Sequence, residues 1–259
     1  MAQLTWILLF CLMGGVVSAA AAGVFLVVPE PRRNRLLPHF VSFATGALLG
    51  AAFLALLPHA LSHPLAVDFH TIGIAVLGGL VGFFVLEKVL LWRHCHHEGC
   101  DAHAIADHQR DHAAGVLVLV GDGMHNFLDG VLIAAAFLVD FHLGVVTALA
   151  VVAHEIPQEI GDLAILLHSG YSRGAAFGFN VLASLATVGG GLLGYFALAR
   201  AEAALPYVLA VAASSFIYVA IADLMPAMHR KADAGTSAAQ VVLIVSGIIV
   251  IYLGHTFLH

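Results

Sequence analysis

The run Phe141-His142-Leu143-Gly144-Val145-Val146-Thr147-Ala148-Leu149-Ala150-Val151-Val152-Ala153 leads without a break into His154-Glu155-Ile156-Pro157-Gln158-Glu159-Ile160-Gly161-Asp162, then Leu163-Ala164-Ile165-Leu166-Leu167-His168. Its length exceeds the roughly 20 mostly apolar residues that cross a hydrocarbon core as a helix. It contains no Lys or Arg. The segment therefore reads as a transmembrane helix with a polar centre. Seven further stretches are apolar enough to span, at about 4–28, 39–61, 70–92, 114–138, 172–198, 205–229 and 238–257. The chain is 61% hydrophobic and 10% charged, with mean hydropathy +0.98. Soluble domains carry about 25% charged residues, so composition alone assigns the membrane class. The expected fold is an all-α polytopic membrane protein with eight transmembrane helices, and residues 1–259 form one membrane domain. The connections near Asp140 and Ser172 are short, so the helices they join should pack as antiparallel neighbours. The first stretch is read as a retained helix. It begins without Lys or Arg, and its apolar run is longer than a signal-peptide core.

Nine of the ten Lys and Arg residues lie in or beside connections 1–2, 3–4, 5–6 and 7–8; Arg200 is the exception. Positive residues stay on the cytoplasmic side. Those connections are expected in the cytoplasm and both termini outside, with a bacterial cytoplasmic membrane as the default location. Cys11 lies within a helix. Cys95 and Cys100 fall in a connection read as cytoplasmic, where disulfides rarely persist.

Helices four and five hold the unusual residues. Helix four reads Gly121-Asp122-Gly123-Met124-His125-Asn126-Phe127-Leu128-Asp129-Gly130. A charge at mid-bilayer costs at least ~2.5–3.5 kcal/mol, and several together on the order of 10 kcal/mol. These carboxylates must be protonated, wetted or bound to a cation. The neighbouring histidines favour a cation, because imidazole with carboxylate suits zinc and similar metals. Residues four apart stack on one helical face about 6 Å apart. His125 and Asp129 form one such pair, with Asn126 beside them. His154, Gln158 and Asp162 form a second stripe, and Glu155 and Glu159 an adjacent third. Pro157 removes the amide that would bond the Ala153 carbonyl, which predicts a kink. Gly121, Gly123, Gly130 and Gly161 would let the two helices approach closely. A lone intramembrane histidine is often just a hydrogen-bond partner, and Asp122 and Asp162 also admit a structural role. Two such constellations on successive helices point to metal.

The runs His125-Asn126-Phe127-Leu128-Asp129-Gly130 and His154-Glu155-Ile156-Pro157-Gln158-Glu159-Ile160-Gly161-Asp162 resemble the ZIP family of divalent-metal transporters. The resemblance extends over the whole chain through its eight spans, outward termini and long third connection. It implies a metal site between helices four and five, with His125, Asn126, Asp129, His154 and Glu155 on metal positions. Gln158 stands where many members have His, and Glu159 beside it completes the candidate set. The resemblance also implies inverted repeats of helices one to three and six to eight. Leu56-Leu57-Pro58-His59 and Leu224-Met225-Pro226 are a faint echo of that relation; Ala227 stands where members often carry Glu. A homodimer, an elevator-like movement of the helix four–five region, and transport towards the cytoplasm are implied likewise. Zinc is the first choice of substrate, with iron or manganese as alternatives. The lipid bilayer is the other partner; no nucleic acid, no resident cofactor and no enzymatic activity are expected.

Rival readings use the same residues. A passive divalent-cation channel would show flux that does not saturate. An intramembrane zinc metalloprotease would use His154-Glu155-Ile156-Pro157-Gln158, one residue from a His-Glu-x-x-His motif. The connection at about 93–113 carries His94, Cys95, His96, His97, Cys100, His103, His108 and His112. Such tracts bind metals by composition. A flexible, weakly metal-binding loop is expected, against the alternative of a solvated spacer.

Overall fold

The structure is a computed structural model that describes residues 2–25, 27–95, 105–229 and 234–258. Among these residues every element is helical. Eight helices are long and apolar enough to cross a membrane: α1 Ala2–Phe25, α2 Pro31–Ser62, α3 Phe69–Val89, α4 Val118–Val139, α5 Phe141–His168, α6 Arg173–Leu198, α7 Glu202–Leu224 and α8 Thr236–Phe257. The chain is thus a multi-pass membrane protein, and its spans match those legible in the hydropathy pattern.

The breaks fall at residues that cap helices. Asp140 has extended backbone, and its carboxylate accepts from the Leu143 amide at 2.9 Å to start α5. Ser172 accepts from the Ala175 amide at 3.2 Å to start α6. Both satisfy donors that a helix N-terminus leaves open. Asp68 does the same for α3, accepting from the Thr71 amide at 2.8 Å and from its hydroxyl at 3.0 Å. The Thr71 amide, with its hydroxyl, holds the Asp68 carboxyl below the usual carboxylate range.

The expected loop at 93–113 is shorter than the hydropathy suggested. The helix containing α3 continues to Cys95, and the one containing α4 starts at Ile105. A helix satisfies its own backbone, so it need not stop where the apolar span stops. His96, His97, Cys100 and His103 lie outside the described residues.

α5 sits in the middle, packed against α1, α2, α4 and α8. α2 packs on α8, α3 on α7, and α4 on α6. α3 and α8 are outermost, with only 11% of each span buried within the protein. Their exposed Ile74, Val81, Val242 and Val245 suit a hydrocarbon solvent. The interior is rich in alanine, including Ala44, Ala51, Ala55, Ala134, Ala210 and Ala213. Small side chains let membrane helices pack closely where no hydrophobic drive separates protein from lipid.

The small residues of α4 do not act as expected. A Cβ on Gly130 would overlap the backbone carbonyl of Thr187, and one on Gly190 that of Phe127. These glycines seat α4 on α6, not on α5. At Gly123 and Gly161 a Cβ would meet nothing within 4 Å. The face of α4 turned to α5 is filled by polar side chains, so the close backbone approach falls on the opposite neighbour.

Of three π-helical segments among the described residues, Met13–Val17 lies in α1, and the other two, Ala51–Leu56 in α2 and Val219–Leu224 in α7, end just before Leu57-Pro58 and Met225-Pro226. Proline lacks the amide that would bond the carbonyl four residues back, and a wider turn precedes it in both helices. Pro157 behaves otherwise: α5 runs as one α-helix from Phe141 to His168 with Pro157 inside it.

Candidate metal centre between α4 and α5

Four side chains from two helices converge. His125 Nε2 lies 3.1 Å from His154 Nε2. His154 Nε2 is 3.2 Å from Asp129 Oδ2 and 3.6 Å from Glu155 Oε1. His125 Nε2 is 3.4 Å from Glu155 Oε1 and 3.9 Å from Asp129 Oδ2. Four ligands set tetrahedrally around zinc at its usual bond lengths stand about 3.3 Å from one another. The five separations bracket that value. Asp129, His154 and Glu155 are about 1% exposed, and His125 is 17% exposed.

Local structure explains the convergence. The four-residue step from His125 to Asp129 puts both on one face of α4. His154 and Glu155 are consecutive, so they flank the line facing α4 and both reach the same point. His154 Nδ1 donates to the Ala150 carbonyl at 3.0 Å, which leaves the lone pair on Nε2 aimed at the cluster. This backbone partner performs the orienting that carboxylates or carbonyls supply to metal-bound histidines. Phe216 of α7 closes the site edge-on, its ring centroid 6.0 Å from that of His154. Both Asp129 oxygens and both Glu155 oxygens lack hydrogen-bond partners among the described residues. Buried carboxylates without donors are costly, and a cation is the partner that the donor set fits.

The remaining candidates lie around this core. Asn126 is fully buried but engaged elsewhere: its Nδ2 donates to Asp122 Oδ1 at 2.7 Å, and its Oδ1 accepts from the Thr187 hydroxyl at 2.7 Å. In this geometry it ties α4 to α6. Gln158 and Asp162 do not join the four; they line a neighbouring cavity. Glu159 lies one turn further along α5, off the His154 stripe as its spacing predicts, beside Glu155 and Asp122.

That cavity has a volume of about 220 Å³, with Glu87, Asp122, His125, Gln158, Asp162 and Asp223 among its lining residues. Its lining comes from the ends of α3, α4, α5 and α7 nearest connections 3–4, 5–6 and 7–8. It therefore links the four-residue cluster to the Lys/Arg-rich end of the bundle. Tyr218 donates to Glu87 across the α3–α7 seam.

Reading the chain in order missed Thr187, Asn180, Glu87 and Phe216. The first two had a signal: Asn180, Ser184 and Thr187 recur at i, i+4 and i+7 on α6, and all three are fully buried. Glu87 and Phe216 belong to no such pattern in the chain.

The sequence is similar to known proteins. A family model described as ZIP zinc transporter matches residues 92–254. The chain is 32% identical over 279 residues to zinc transporter ZIP13 of Pongo abelii, covering 98% of this chain and 79% of that protein. It is 30% identical over 312 residues to ZIP13 of Homo sapiens, covering 98% and 82%. Against zinc transporter ZIP4 of Rattus norvegicus it is 34% identical over 254 residues, covering 75% of this chain and 38% of that one.

Proposed function

Because this chain belongs to the ZIP zinc transporter family, we propose that it carries zinc across a membrane, held in transit by His125, Asp129, His154 and Glu155. One observation supports this reading above the rest: two imidazole nitrogens stand 3.1 Å from each other and 3.2–3.9 Å from the same two carboxylates, in a buried pocket with no positive side chain among the described residues. Two carboxylates balance the charge of a divalent ion, and two neutral imidazoles add soft nitrogen donors. The related proteins are named as transporters, which favours transport over proteolysis. The mixed nitrogen–oxygen set also accepts iron or manganese, with zinc preferred.

The proposed route is alternating access. Zinc enters from the outer side, loses water among the four ligands, and leaves through the acid-lined cavity towards the Lys/Arg-rich end. Glu87, Asp122, Asp162 and Asp223 attract the cation there, and water in the cavity rehydrates it. The charge rule makes that end cytoplasmic, so transport runs inward and both termini lie outside. The packing supports a movement of α1, α4, α5 and α6 against α2, α3, α7 and α8: the strongest seams join helices within each set. The matched π-helical turns before Pro58 and Pro226 support an inverted relation between the first and last three helices. A homodimer completes the proposal.

Purified protein in liposomes should take up radioactive zinc with saturation kinetics, and protein-free liposomes should not. Flux that rises linearly to millimolar zinc would instead favour a channel. The ligands bind metal only when deprotonated, so binding releases protons. Apparent zinc affinity should therefore fall as pH is lowered, whereas pH-independent affinity would contradict imidazole ligation. In intact cells a membrane-impermeant reagent should reach a tag at the N-terminus but not one inserted near Arg173; the reverse labelling would invert the topology.

A further inference from the structure

The arginines of the inner end are placed more particularly than the charge rule requires. The helix containing α2 starts at Glu30, well before the apolar stretch that begins near residue 39. Arg32, Arg33 and Arg35 fall on this overhang, and Glu30 is the one acidic residue from Leu26 to Ser62. The charge rule counts basic residues in a connection and is indifferent to the face they occupy. Here the faces are sorted. Arg32, Leu36 and Phe40 follow at four-residue intervals, so they stack on one face, and all three are exposed. On the neighbouring face Arg33 and Leu37 are half-buried and Val41 is buried. The exposed stripe runs from guanidinium to aliphatic side chain to aromatic ring, the order in which a phospholipid runs from headgroup to acyl chain.

Depth fits the same ligand. At ~1.5 Å per residue, Arg35 stands roughly 6 Å and Arg32 roughly 10 Å beyond the start of the apolar stretch. The headgroup layer is about 5–7.5 Å deep on each side of a bilayer. Arg35 therefore lies within that layer, and the long side chain of Arg32 reaches back into it from the outer edge.

Other helices complete the surface. Phe25 at the end of α1 meets Phe40 edge-on, with ring centroids 5.6 Å apart. Leu37 packs in one apolar cluster with Phe25, with Leu166 of α5 and with Ala176 of α6. Arg173 precedes Ala176 by three residues and is exposed. The four arginines thus rim one cluster at the inner ends of α1, α2, α5 and α6. None of the ion pairs among the described residues uses an arginine.

We propose that Arg32, Arg33, Arg35 and Arg173 hold the headgroup of an anionic phospholipid, whose acyl chain lies along Leu36 and Phe40. A guanidinium presents paired donors that match a phosphate. A zwitterionic lipid brings its own cationic group, which several arginines repel; an anionic lipid does not. A free phosphate would leave Leu36 and Phe40 unused. The surface shares no residue with the metal centre, so the inference stands apart from the transport reading.

Native mass spectrometry of the purified full chain in detergent counts the lipids it retains. Phosphatidylglycerol should bind at least about tenfold more tightly than phosphatidylcholine, two arginines' worth of attraction at about fivefold each. Arg32→Gln and Arg35→Gln should each weaken phosphatidylglycerol about fivefold. Each leaves two arginines in the connection, which preserves the orientation. If neither inserts, Arg35→Lys keeps the charge, gives up the paired donors and should still weaken binding. Lys88→Gln is the control: it lies on the helix containing α3, with its ammonium 5.5 Å from the Phe84 ring centroid, and should bind like the native chain. Equal retention of phosphatidylcholine, or equal weakening by Lys88→Gln, would reduce the effect to general surface attraction and refute the site. Displacement of phosphatidylglycerol by millimolar inorganic phosphate would make the ligand a soluble anion and overturn the lipid assignment.

Discussion

His154→Ala is expected to lower zinc uptake at sub-saturating metal by at least about 100-fold in proteoliposomes, the upper end of what loss of a ligand's mere supporting partner costs. Four of the five short separations between donor atoms involve the imidazoles with a carboxylate, and a fifth joins the two imidazoles. Removing His154 deletes a nitrogen donor that the Ala150 carbonyl already orients. It also leaves Asp129 Oδ2 without its 3.2 Å neighbour. Asp129→Asn tests the same site differently: shape is kept while one negative charge is lost, so the dication is no longer neutralised. Both variants should run as the native chain in gel filtration, since neither residue seals a close helix contact. Native uptake in either variant would remove the metal centre from the transport path.

Gly130→Leu is expected to destabilise the fold by more than 3 kcal/mol, beyond the ~1–3 kcal/mol usual for overpacking. The added side chain meets the backbone carbonyl of Thr187, which cannot swing aside as a flexible side chain could. α4 and α6 must separate, and with them goes the hydrogen bond from the Thr187 hydroxyl to Asn126. Asp129 is the next residue, so the metal centre shifts with the seam. Gly123→Ala is the control. It has open space for its methyl, and alanine is favoured over glycine in a helix by roughly 0.5–1 kcal/mol. In detergent, Gly130→Leu should aggregate at markedly lower temperature than the native chain, with Gly123→Ala at or above it. Equal thermal stability for all three would mean that the α4–α6 seam is not as close as the structure has it.

The eight spans, the capping breaks at Asp140 and Ser172, and the pairing of His125 with Asp129 depend on residues near one another in the chain. A bilayer demands about 20 apolar residues per crossing, and a helix repeats every 3.6 residues, so a linear reading reaches them. The same logic located His154 and Glu155, because carboxylates and histidines stand out sharply in a helix of alanine, leucine and valine.

Packing between helices decided the rest. Gly130 reads as a small residue suited to any neighbour, and only the folded chain selects α6 over α5. Asn126 reads as a residue of the site beside His125, and only the fold shows that its amide also bonds Asp122 and Thr187, the latter 61 residues away. Pro157 reads as a kink, and the folded chain keeps it inside one continuous helix, Phe141–His168. Phe216 and Glu87 carry no local sign that they border a metal route. Asn180 lies far along the chain from Glu159 but against it in space. Local spacing determines which face of a helix a side chain occupies; which neighbour that face meets depends on volumes and contacts summed over the whole bundle.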